Sequence, residues 1–104
     1  MAQFDVYENK NAVSAEQFPY LLEVQSDIFE DSRRAVYVPL VLASTLKKPD
    51  KVLNPKFSVS DTPVRLFPLD IASASRSVTG ARLTNLKSES DKVIASLDLL
   101  FARF

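Results

Sequence analysis

Lys56-Phe57-Ser58-Val59, Ser60-Asp61-Thr62-Pro63 and Val64-Arg65-Leu66-Phe67 follow one another in the chain, and their reading decides the fold class. Phe57 and Val59 alternate with Lys56, Ser58 and Ser60, while Val64 and Leu66 alternate with Arg65 and Phe67. A period of two places apolar side chains on one face of an extended chain. Ser60-Asp61-Thr62-Pro63 between the runs carries turn chemistry, so the stretch predicts an antiparallel hairpin.

The pattern repeats upstream. Phe4 and Val6 alternate with Gln3, Asp5 and Tyr7, which predicts a half-buried strand over 3–7. The aperiodic polar segment Glu8 to Gln17 separates it from a second strand, Tyr20 to Val24, as a long exposed hairpin loop. A third strand is expected from Ala35 to Val41, with Val36, Val38 and Leu40 on one face and Pro39 at a bulge or an edge. Lys47-Lys48-Pro49-Asp50 reads as a turn. Beyond the central hairpin, Leu69 and Ile71 continue the alternation past Pro68, and Val78 belongs to one more short strand before Gly80.

The period changes near the C-terminal end. Leu86, Val93, Leu97, Leu100 and Phe104 recur at helical spacing, and Ile94 and Phe101 widen the stripe. Ser88 with Asp91 three residues later fits a capping box in which Asp replaces Glu. A helix of about fourteen residues is marginal alone in water, so its apolar stripe must pack on the sheet or on a partner. Short strands with prolines at their margins and one terminal helix predict a mainly β fold, an antiparallel barrel or sandwich, with residues 1–104 forming one domain.

Composition narrows the chemistry. The chain of 104 residues has no His and no Cys, which removes Ser-His-Asp triads, Cys nucleophiles, and imidazole or thiolate metal sites. Gly80 is the only glycine, so no phosphate-cradling glycine loop can be built. Thirteen basic residues balance thirteen acidic ones, which argues against a domain whose task is to neutralise nucleic-acid phosphates. No apolar run is long enough to cross a bilayer, and MAQFDVYENK carries no secretory signal, so a cytoplasmic binding protein without a cofactor is expected rather than an enzyme.

Several segments together resemble the CcdB toxin family: Gln3-Phe4-x-Val6-Tyr7, Val24-Gln25-Ser26-Asp27-Ile28 and Val36-x-Val38-Pro39-Leu40. Leu53-x-Pro55, Arg65 and Asp70-x-Ala72-Ser73 follow at family-like spacing, and the likeness runs on through Leu86 to Phe101. The resemblance implies an SH3-like antiparallel barrel with a C-terminal helix, paired as a homodimer. It implies the DNA gyrase A subunit as target and a cognate antitoxin as second partner, with operator DNA reached only through the antitoxin. It also implies a gyrase-binding surface made of the apolar pair Ile28 and Phe29 together with Asp91, Phe101, Ala102, Arg103 and Phe104 on the helix and its end. Family members typically carry Trp-Gly-Ile where this chain has Ala102, Arg103 and Phe104, a departure at all three positions.

Each of these residues also has a plainer reading. Gln25-Ser26-Asp27 serves equally as a polar turn, Phe29 as core, and Phe101 as a residue packed on the sheet. Arg33-Arg34 is most simply a solvated pair. The fold family also holds ribonuclease toxins of the MazF and Kid kind, in which Asp27 as base and Arg33 or Arg34 as acid would be the candidates here. An antitoxin-binding relic of weak toxicity is the third reading, supported by the altered 102–104 segment.

Overall fold

A computed structural model describes residues 2–102 of the chain. Its strands are β1 (Asp5–Asn9), β2 (Tyr20–Glu23), β3 (Arg34–Leu42), β4 (Lys56–Val59), β5 (Thr62–Leu66), β6 (Ala72–Ser75) and β7 (Thr79–Asn85), followed by helix α1 (Ser90–Phe101). They form one curled sheet in the order β4-β5-β3-β2-β1-β7, with β6 also on β3. Every pairing is antiparallel. The result is the mainly β fold with a C-terminal helix that the alternation predicts, and the SH3-like barrel that the family resemblance implies, although with more short strands than the alternation alone reveals.

The central hairpin forms as expected, with Phe57 opposite Val64 and the apolar set Phe57, Val59, Val64 and Leu66 buried. The reversal itself is tighter than the composition indicated. Ser60 and Asp61 alone make it, at φ 50° and 64°, the geometry of a two-residue hairpin turn whose twist matches that of the strands. Thr62 and Pro63 already belong to β5.

Strand β3 bends the sheet into a barrel. Its first half, Arg34 to Tyr37, pairs with β6, and its last residues, Leu40 to Leu42, pair with β5. Pro39 lies between the two ladders. Its carbonyl accepts from the Phe67 N–H at 2.9 Å, so the position of its missing N–H faces the same side, where the partner strand changes. Pro39 thus sits inside a central strand, at an interruption rather than at a bulge or an edge.

Strand β1 departs from expectation in two ways. Phe4 is not extended: it has φ 70°, and its N–H and C=O bond Glu23 O at 2.7 Å and Leu86 N at 2.9 Å. A left-handed conformation in a bulky residue costs on the order of 1–3 kcal/mol, held here by those two bonds and by burial of the ring in the core with Val6. The strand is also buried on both faces, because Asp5 and Tyr7 are as enclosed as Val6.

Past Pro68 the chain turns rather than continuing extended. Pro68–Asp70 is a 3-10 turn that leaves Leu69 exposed and packs Ile71 on the core, and Val78 lies in a second such turn, Arg76–Val78. Helix α1 closes the open side of the barrel with Val93, Leu97 and the fully buried Ser96, whose hydroxyl donates to Leu53 O at 2.6 Å. The expected capping box is absent. Ser88 lies in a 3-10 turn, Lys87–Glu89, at whose start Lys87 N–H donates to Asn85 Oδ1 at 2.7 Å. Ile94 and Phe101 do not widen the buried stripe; both stay exposed.

Candidate functional site

The Gln25-Ser26-Asp27 segment is a built turn. Ser26 caps a 3-10 turn, Asp27–Phe29, by accepting from Ile28 N–H at 3.4 Å. Asp27 Oδ1 accepts from Gln3 N–H at 2.6 Å, and the Gln3 side-chain amide donates to Val24 O at 3.1 Å, so the start of the turn is tied to the N-terminal segment. Gln25 Nε2 donates to Phe29 O at 3.2 Å and to Arg34 O at 3.4 Å, bridging the two ends of the loop. On this frame Ile28 is 80% exposed and Phe29 is 56% exposed. Phe29 is therefore not core: both apolar side chains project into solvent from a segment whose polar groups are spent on fixing it.

Asp91, Phe101 and Ala102 are placed along α1. Asp91 is exposed in the first turn of the helix, where its charge favours the helix N-terminus. Ten residues later, about 15 Å along the axis at 1.5 Å per residue, Phe101 is 71% exposed and so does not pack on the sheet. Ala102 leaves the helix in extended conformation, its N–H still bonded to Asp98 O at 2.7 Å. Arg103 and Phe104 lie outside the described residues. Among the described residues no hydrogen bond, ion pair or ring contact joins the Ile28–Phe29 turn to Phe101 or Ala102.

The ribonuclease candidates are not assembled. Asp27 is engaged by Gln3, Arg34 donates from Nε and Nη2 to Ser73 Oγ and O at 3.1 and 2.8 Å, and Arg33 is exposed. Among the described residues, no three carboxylates stand close enough to share a metal ion.

Buried ionic chemistry lies instead on the outer face of the sheet. Asp5 is 2% exposed and accepts from Asn85 Nδ2 at 2.9 Å, Arg82 Nε at 2.8 Å, Tyr7 Oη at 3.1 Å and Ala2 N–H at 2.8 Å. Glu23, equally enclosed, pairs with Arg76 Nη1 at 3.0 Å. Burial, then the charge of Asp5 and the bond to it, push the Tyr7 hydroxyl up. Burial and then the Glu23 charge raise Tyr37 as well, with Arg76 opposing. Sequence reading assigned no role to Gln3, Glu23 or Arg76. Gln3 was visible as part of a motif, but Glu23 and Arg76 carry no local signal, being 53 residues apart.

Burial alone would raise the Asp5 carboxyl, but its hydrogen bonds outweigh burial and hold it below the ordinary 3.8. A folded value below the unfolded one means that the carboxylate stabilises the fold fully above about pH 4, and that this contribution disappears as the pH falls through the lower folded value. Urea unfolding should show stability dropping on the acid side of about pH 4. Asp5→Asn should be less stable than the parent at pH 7 and shallower in its acid dependence; an unchanged slope would count against the network.

The described residues thus form a small curled barrel closed by one helix, with exposed apolar side chains on a fixed turn and at the helix end. The family model described as CcdB protein matches residues 3–102, nearly the whole chain. The chain belongs to the CcdB family, toxins of toxin–antitoxin systems. None of the helices among the described residues is long and apolar enough to cross a membrane.

Proposed function

We propose that this protein is a cytoplasmic, homodimeric toxin that binds the A subunit of DNA gyrase and poisons the enzyme without chemistry of its own, and that a cognate antitoxin neutralises it. The observation that carries this reading is the Ile28–Phe29 pair, displayed in solvent on a turn fixed by Gln3, Gln25 and Ser26 in a chain of this family. Exposed apolar side chains on a rigid frame suit recognition, because they lose little conformational entropy on binding and desolvate favourably. Phe101 and Ala102 form a second apolar tip. Isothermal titration of the purified protein into gyrase A subunit tests the reading, with saturable binding expected and no heat of binding counting against it.

Dimerisation follows from the same reading. The exposed apolar residues Leu69, in the turn before β6, and Ile94 and Leu99, on α1, supply surface for a second copy. A stable pairing buries at least about 1,000 Å² in total. Sedimentation at micromolar concentration should give twice the 11.6 kDa chain mass; a monomer would remove dimerisation from the account.

A further inference from the structure

Behind the Ile28–Phe29 turn lies the ion pair of Glu23 with Arg76. Glu23 ends β2 on the outer face of the sheet and is 2% exposed, so its charge has to be matched by a partner at close range. Arg76 provides that match from the 3-10 turn after β6, brought there because Ser75 pairs with Arg34. The same guanidinium reaches further: Nε donates to Ser32 O at 2.7 Å while Nη1 holds Glu23 at 3.0 Å. Its backbone N–H donates to Arg33 O at 3.0 Å. Ser32 N–H in turn donates to Phe29 O at 3.0 Å. An unbroken run of short contacts thus leads from a buried carboxylate in the sheet to the carbonyl of an exposed apolar residue. A planar fork of several donors can hold a carboxylate and a carbonyl at once, whereas an ammonium at the end of a flexible stem meets such a geometry poorly.

We propose that Arg76 is a positioning residue for partner recognition: braced on Glu23, it grips Ser32 and through Ser32 fixes where Ile28 and Phe29 stand. The recognition half of this rests on the reading of Ile28 and Phe29 as the gyrase-facing edge. Arg76 closes the far end of the loop, as Gln3 ties its start through Asp27. With both ends held, the pair is presented in one geometry before a partner arrives, which reduces the ordering cost of binding.

Arg76→Lys separates positioning from bulk stability, because it keeps a positive charge opposite Glu23 while losing the fork. Loss of one charge-assisted hydrogen bond corresponds to about a ten-fold change. In hydrogen exchange, the amides of Phe29, Glu30 and Ser32 should exchange about ten-fold faster, while those of β2 and β3 keep parent rates. Affinity for gyrase A subunit should fall by a similar factor, and this fall should largely vanish in a Phe29→Ala background, the signature of one residue acting through another. Turn amides exchanging at parent rates would overturn the proposal, as would turn and core amides accelerating together. If Arg76→Lys does not fold, the neutral pair Glu23→Gln with Arg76→Gln is judged by the same exchange pattern. Were Phe29→Ala to bind gyrase as the parent does, the recognition reading would fall, and the exchange pattern would still decide whether Arg76 holds the turn.

Discussion

Replacing Ile28 and Phe29 together by Ala is expected to weaken binding to gyrase A subunit about 100-fold while leaving the melting temperature unchanged. Two apolar anchors at roughly 1.5–2 kcal/mol each give about 3 kcal/mol, and each 1.4 kcal/mol is a factor of ten. The fold should not notice the change, since neither side chain belongs to the core and the turn is held by Ser26, Asp27, Gln25 and Gln3 rather than by packing. Surface plasmon resonance with immobilised gyrase A subunit, beside a thermal melt, checks both halves. A double variant that binds like the parent would place recognition elsewhere, and one that melts markedly lower would show that the pair supports the turn.

The second large effect is a gain. Installing Ala102→Trp, Arg103→Gly and Phe104→Ile together is expected to raise gyrase-mediated DNA cleavage by about ten-fold or more, since one aromatic anchor is worth ~2 kcal/mol at a binding surface. The parent presents a methyl group where family members typically carry the aromatic ring, and Arg103 brings a charge that has to be desolvated or paired at a close contact. Stability should hold, because Ala102 lies one residue beyond α1 and its single bond to Asp98 O is made by the backbone, which any side chain retains. The measurement compares linear DNA formed at matched concentrations of parent and triple variant. Equal potency would mean that this toxin reaches gyrase through other residues, with the Ile28–Phe29 turn first among them.

Period-two alternation made much of the sheet legible: Val6, Val38, Leu40, Phe57, Val59, Val64 and Leu66 all reach the core. The helix was legible too, through Val93 and Leu97. What stayed hidden was long-range. Strand β7, Thr-Gly-Ala-Arg-Leu-Thr-Asn, has no alternating apolar set and is defined by its pairing with β1, some 75 residues earlier in the chain. Strand β6 is Ala-Ser-Ala-Ser and exists because β3 offers it a ladder. The enclosure of Asp5 and Tyr7 depends on Arg82 and Asn85, and that of Glu23 on Arg76, partners no local window contains. At the candidate site, the family likeness marked Ile28 and Phe29, but the frame that turns them outward became visible only once Gln3, Gln25 and Ser32 were brought together. Asp91 and Phe101, both marked as site residues, stand at opposite ends of one helix, a separation that spacing alone does provide.

The central claim is that this chain poisons gyrase by binding, without turning over any substrate. Purified protein incubated with gyrase, ATP and supercoiled plasmid, then treated with denaturant and protease, tests it most directly. The account predicts linear DNA that appears only when gyrase is present, rises with toxin and disappears when Ile28 and Phe29 are both Ala, with mixed single-stranded RNA left intact in a parallel tube. Plasmid that stays uncleaved at saturating protein, or RNA cut in a manner abolished by Asp27→Ala or Arg34→Ala, would contradict it.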